Sequence, residues 1–101
     1  MKRTRLQPAV RRDAILTAAL DCAERYGCYD MTREQIGAAA GCSGPTVQYY
    51  FSTMDALRRS VMRAAVRTER LRVIAQGVVR GDKQAERAAP ELRRRAMAAY
   101  T

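Results

Sequence analysis

The chain has 101 residues, 48% of them hydrophobic, with three cysteines and no histidine. That supports one modest core and argues against a second independent domain; without histidine, the odd cysteine set completes no zinc site, and a Ser or Cys nucleophile would lack its usual base. Nineteen Lys and Arg against ten Asp and Glu leave a net charge of +9, which suits an anionic partner such as nucleic acid and equally a well-solvated surface.

Helix formers prevail and no alternating β-branched runs occur, so the fold is expected to be all-α. Cys22, Cys28 and Cys42 fit no C-x-x-C spacing and read as reduced structural thiols. The start MKRTRLQPAVRR lacks the apolar segment of a signal peptide, and no apolar run is long enough to span a bilayer. The expectation is a soluble cytoplasmic protein with no catalytic residues, no metal and no cofactor.

Residues 1–11, with Lys2, Arg3, Arg5 and Arg11 around Pro8, read as a flexible basic arm. Helix 1 is expected from Asp13 to Tyr26, with Ile15, Ala19, Cys22 and Tyr26 on one face, and Gly27 ends it. Thr32 and Gln35 have the spacing of a capping box, so helix 2 begins at about Thr32; Ile36, Ala39 and Ala40 form its inner face and Gly41 stops it. Ser43 is an N-cap for the N–H of Thr46, and Pro45 fits the first turn of helix 3, on which Val47 and Phe51 are core anchors. Ser52 or Thr53 caps helix 4, along which Leu57, Val61, Ala64, Thr68, Leu71, Ala75 and Val78 make an apolar seam opposite Arg58, Arg59, Arg63, Arg67, Arg70 and Arg72. The seam serves either a dimer or ordinary packing on the first three helices. Gly77 and Gly81 interrupt it; Asp82 caps a last stretch carrying Ala85, Ala89, Leu92, Ala96 and Ala99, which Pro90 kinks or restarts.

Two short helices joined by Ala40-Gly41-Cys42-Ser43 have the length and turn chemistry of a helix-turn-helix, whose second helix enters the major groove of DNA. From about Arg12 to Leu57, "ILTAALDCAERYG", "MTREQIGAAAGCS" and "GPTVQYYFSTMDAL" resemble the first four helices of the TetR family of bacterial repressors. Gly27, Thr32, Ile36, Ala40-Gly41, Ser43, Thr46, Phe51 and Leu57 keep that family's spacing.

The resemblance implies a helix-turn-helix DNA-binding domain over 12–57 and a helical dimerisation region over 58–101, a long fourth helix followed by a short C-terminal one. It places Arg33, Gly44, Pro45, Thr46, Gln48 and Tyr49 at base edges or the groove, and Thr32, Tyr50 and Thr53 at phosphates. Gln48 stands where the family usually has a tyrosine; a glutamine there reads adenine or meets a phosphate or water. Met54 replaces a common phosphate-binding lysine, with Arg58 or Arg59 as substitutes. Ala23 takes the place of a bulky aromatic, so Tyr26 or Cys22 is expected to repack the core.

Only 44 residues follow Leu57, where the family usually has a larger ligand-binding domain. Two helices can dimerise, with Leu71, Ile74, Val78, Leu92 and Ala96 as the expected interface, but are not expected to enclose a drug-sized pocket; the apolar face ending at Ala99-Tyr100 reads as a natural end, and the alternative is a DNA-binding fragment of a longer regulator, to which the expectation of no pocket does not extend. The expected partners are a palindromic double-stranded operator and a second copy, with no membrane and no small-molecule effector. The charge lies off the reading head: residues 32–55 carry one basic and two acidic side chains, whereas 56–101 carry a net +8. The expected function is a homodimeric transcriptional regulator, a repressor by family habit and a candidate regulator of its own operon. The alternative is a protein-interaction module of the same fold, an adaptor or antirepressor.

Overall fold

Four of the helices begin on a side-chain cap, at Thr32, Ser43, Thr53 and Asp82, and two others begin on a proline in the first turn, Pro8 and Pro90. The computed structural model describes residues 7–100 and gives, in order, α1 (Pro8–Tyr26), α2 (Arg33–Ala40), α3 (Gly44–Tyr50), α4 (Met54–Arg67), α5 (Leu71–Arg80), α6 (Lys83–Glu86) and α7 (Pro90–Ala99). Every regular element among the described residues is helical, as the composition indicated.

The first helix starts earlier than expected. Gln7 is extended and Pro8 takes the first helical position, where its missing donor costs no hydrogen bond. Residues 8–11 are therefore helix rather than arm; Lys2, Arg3 and Arg5 lie outside the described residues. Thr32 and Gln35 form the reciprocal capping box, with hydrogen bonds of 3.1 and 2.9 Å. The Ser43 hydroxyl accepts from the Thr46 N–H at 3.2 Å, and of Ser52 and Thr53 it is Thr53 that caps α4, accepting from Ala56 at 3.0 Å.

The apolar seam through Val78 is two helices, because α4 stops at Arg67. Glu69 adopts φ +57°, and the Arg70 N–H donates to the Ala65 carbonyl at 2.8 Å. The same left-handed closure ends α2 at Gly41, with Cys42 donating to Gly37, and α5 at Gly81, with Asp82 donating to Gly77. At the first of the three a glutamate occupies the position that glycine ordinarily takes, at a cost of about 1 kcal/mol. Long-range pairs secure that corner: Arg70 reaches Asp21 at 2.9 Å and Glu24 at 3.1 Å on α1, and Glu69 meets Arg95 on α7 at 2.9 Å.

One continuous core joins the two halves. Ile15, Ala19, Ile36, Val47, Leu57 and Val61 are fully buried at the N-terminal end, and Met62, Val73, Ile74, Ala85 and Ala96 at the other. Ile74 and Ala96 are thus spent inside a single chain, where α5 packs on α7, and cannot serve the dimer interface expected of them. Leu71, Val78 and Leu92 are half-buried against the same core. Two assignments on the first helices also change. Tyr26 is 40% exposed, so of the two residues expected to repack the core around Ala23 only Cys22 is buried. The inner face of α2 is Ile36, Gly37 and half-buried Ala40, while Ala39 faces solvent. The body measures 49 × 21 × 21 Å.

Replacing Glu69 by Gly removes the left-handed penalty and loses only a half-exposed ion pair, so the melting temperature should rise by roughly 4 °C in calorimetry. Gly81→Ala should lower it.

Candidate nucleic-acid interface

The angle between α2 and α3 depends on a backbone contact. A Cβ on Gly37 would stand 2.6 Å from the Cys42 carbonyl oxygen and 3.0 Å from the Ser43 carbonyl carbon, so the turn lies against α2 only because residue 37 has no side chain. Val47 and Phe51 then seat α3 on the core, at 0% and 4% exposure. Gly44 sits close to α2 as well: a Cβ there would be 3.4 Å from Glu34 Oε1 and 3.7 Å from Arg33 Cβ. The tip of α3 thus lies at ordinary contact distance from the first turn of α2.

What α3 turns outward is polar, aromatic and uncharged. Pro45, Gln48 and Tyr49 are exposed, Thr46 and Tyr50 half-exposed. Tyr49 projects furthest, at 82% exposure, its ring edge-on to Tyr50 with centroids 5.0 Å apart. The Thr46 hydroxyl lies 2.9 Å from that of Ser43, which fixes its direction. Arg33 is half-buried beside this surface, with a buried Nε that has no hydrogen-bond partner. Thr32 and Thr53, expected at phosphates, are exposed at the starts of α2 and α4 with their hydroxyls engaged as caps.

The two substitutes for the missing lysine part company. Arg58 is committed internally: Nε donates to the Cys28 carbonyl at 3.2 Å and Nη1 to Asp55 at 3.0 Å. Arg59 is exposed and forms no ion pair among the described residues. A further cation joins them: the Arg12 guanidinium stacks 4.5 Å from the centroid of Phe51, the residue that ends α3. Sequence reasoning missed it because residue 12 stands at the edge of the expected arm, and the contact spans 39 positions.

Behind the reading head, residues 27–31 connect α1 to α2, and α5 grips this connection. Gln76 accepts from the Cys28 N–H at 2.8 Å and donates to the Ala23 carbonyl at 3.2 Å, using both ends of its amide. The Tyr29 hydroxyl donates to Asp82 at 3.1 Å, and Arg80 lies over the Tyr29 ring at 4.3 Å. Burial, then the neighbouring Asp82 carboxylate, pushes the Tyr29 phenol well up; burial pushes the Cys28 thiol up to about 11. Between this connection and α5 lies an open groove of about 460 Å³, bordered also by the end of α7. Two helices alone are not expected to leave such a space; the connection supplies the missing wall.

Among the described residues no group of His, Cys, Asp or Glu is arranged to hold a metal ion, and no helix is long and apolar enough to cross a membrane. Residues 15–61 match the family model of bacterial regulatory proteins, tetR family. The chain is also 40% identical, over 62 residues, to the HTH-type transcriptional regulator RutR of Escherichia coli strain K12, and matches RutR of Shigella flexneri equally. The match covers 61% of this chain and 29% of those relatives. No solved structure matches.

Gly37→Ala should cost about 1–3 kcal/mol by forcing the turn off α2, read as a lower denaturant midpoint. The buried Cys28 thiol sets an alkaline limit. Its stabilising contribution is complete below the unfolded thiol value of about 9 and lost as pH rises towards about 11, since only the unfolded chain ionises readily there. Stability should therefore fall less steeply from pH 9 to 11 in Cys28→Ala than in the unaltered chain.

Proposed function

We propose, from the premise that residues 15–61 are a helix-turn-helix domain of the TetR family, that the protein is a homodimeric, sequence-specific double-stranded DNA-binding transcriptional regulator acting as a repressor. The observation that carries this reading is the outward face of α3: Thr46, Gln48, Tyr49 and Tyr50 project from a short helix whose seat on α2 tolerates no side chain at residue 37.

The division of labour rests on charge. Residues 32–55 carry a net −1, so base reading falls to neutral donors, acceptors and rings: Gln48 can bond adenine through N6 and N7, and Tyr49 can pack on a thymine methyl. Attraction to the phosphates comes from cations around the head. Arg59 replaces Arg58 as the contact beside Met54, Arg12 adds a second at the end of α3, and Thr32, Tyr50 and Thr53 supply neutral phosphate contacts. One such head covers little DNA, so two copies reading half-sites roughly 34–36 Å apart on a palindromic operator give the needed area. With Ile74 and Ala96 inside the core, Leu71, Val78 and Leu92 are the residues of the expected seam with surface left to offer a second copy. An operator upstream of its own gene is the natural first target.

A second reading, a protein-interaction module of the same fold, draws support from the acidic balance of the head and from Met54. Fluorescence anisotropy with random duplex DNA at about 50 and 200 mM salt separates the two. DNA binding predicts weak, steeply salt-dependent association, and none at the lower salt would leave the interaction module. On a protected upstream fragment, Gln48→Ala and Tyr49→Ala should each cost about 1–3 kcal/mol of specific binding while sparing random duplex. Arg59→Ala should weaken both and lower the salt slope by about one.

A further inference from the structure

The groove between the α1–α2 connection and α5 has a composition that nothing in the DNA-reading surface explains. Arg72, Gln76 and Arg80 recur every four residues along α5 and so share one face of it, and all three line the groove. The amide of Gln76 is consumed in holding the connection. Arg72 and Arg80 are exposed and form no ion pair among the described residues. Opposite them, the Tyr29 hydroxyl is taken by Asp82 and its ring is stacked under Arg80. Among the described residues Asp30 is the one side-chain carboxylate in the lining, its Oδ2 3.1 Å from where a Cβ of Gly27 would stand. Val79 and Tyr100 bring apolar surface to the same space, at 55% and 47% exposure.

We propose that this groove is a binding site for a small aromatic carboxylate, with the acid group on the Arg72 and Arg80 guanidiniums and the ring against Val79 and Tyr100. The volume of about 460 Å³ lies in the range of small-molecule sites, roughly 300–1,000 Å³, and is too small for a folded partner. Two guanidiniums without ion-pair partners outnumber the one side-chain carboxylate described in the lining and favour an anion, and planar guanidinium forks match a carboxylate in two-point fashion. The apolar wall selects an organic body over inorganic phosphate. The occupant would touch Tyr29, three residues before the Thr32 cap of α2, and so lie against the connection that leads into the reading head. The site stands independently of whether the protein binds DNA.

The test is amide chemical-shift mapping of the ¹⁵N-labelled full chain, titrated with 2-naphthoate and separately with neutral 2-naphthamide. Saturable naphthoate shifts at Cys28–Asp30, Gln76–Arg80 and Tyr100, with naphthamide at least about tenfold weaker, are expected. Arg72→Gln and Arg80→Gln, both at exposed positions, should each weaken naphthoate binding by about tenfold, whereas Arg94→Gln on α7, paired with Glu91, should leave it unchanged. Equal binding of the amide, shifts centred elsewhere, or no saturation at millimolar naphthoate would overturn the proposal. The mapping on the unaltered chain decides the matter even if a variant proves unstable.

Discussion

The placement of the outward face of α3 rests on two backbones touching. The Cys42 carbonyl approaches α2 so closely that a methyl group on residue 37 would stand 2.6 Å from it, well inside van der Waals contact. That approach brings Ser43 to where it caps α3, and the cap sets the direction in which Thr46, Gln48 and Tyr49 leave the helix. Val47 and Phe51 fix the depth of α3 in the core. A glycine inside a helix of eight residues costs roughly 0.5–1 kcal/mol in backbone entropy; here the packing it permits offsets that cost.

The second organising feature is the grip of α5 on the connection between α1 and α2. Gln76 accepts from the Cys28 N–H just past the end of α1 and adds a second donor to the Ala23 carbonyl, which also accepts from Gly27 in the closing turn of that helix, and Asp82 receives the Tyr29 hydroxyl from the same connection. Buried backbone groups demand partners, and these come from a helix about fifty positions further along the chain. The later helices are therefore part of the scaffold of the reading head as well as the carriers of most of the positive charge. Their apolar stripes close on each other and on α1 and α4, which is why a seam that looks suited to a second copy is largely used within one.

Local chemistry was legible in the sequence and long-range chemistry was not. The Thr32 and Gln35 box, the Ser43 cap, Gly41 and the Val47 and Phe51 anchors all depend on neighbours within four residues, and each stands where its spacing indicated. Pro8 misled because the ring that breaks a helix interior also suits a first turn, and only the packing of the next turns decides between the two. Glu69 misled because the left-handed residue ending a helix is usually glycine, while the apolar period runs on across the corner undisturbed. Arg58 and Arg59 are indistinguishable by type and adjacent in sequence. What separates them is the Cys28 carbonyl, thirty residues away, which one of them faces. Gly37 carried a signal that went unread: a glycine at the centre of a short helix, with good helix formers around it, asks what comes close.

The corner at Glu69 has a geometric consequence for the whole chain. Were α4 and α5 a single rod from Met54 to Arg80, its 27 residues would extend about 40 Å, and its far end would be a lever pointing away from the head. Folded back at Thr68–Arg70, the same residues return to the end of α1, so that Gln76 arrives beside Cys28. One residue held in an unfavourable conformation thus converts a strut into a clasp, and Cys28 and Tyr29 of the α1–α2 connection are held by segments that a straight helix would have carried out of reach.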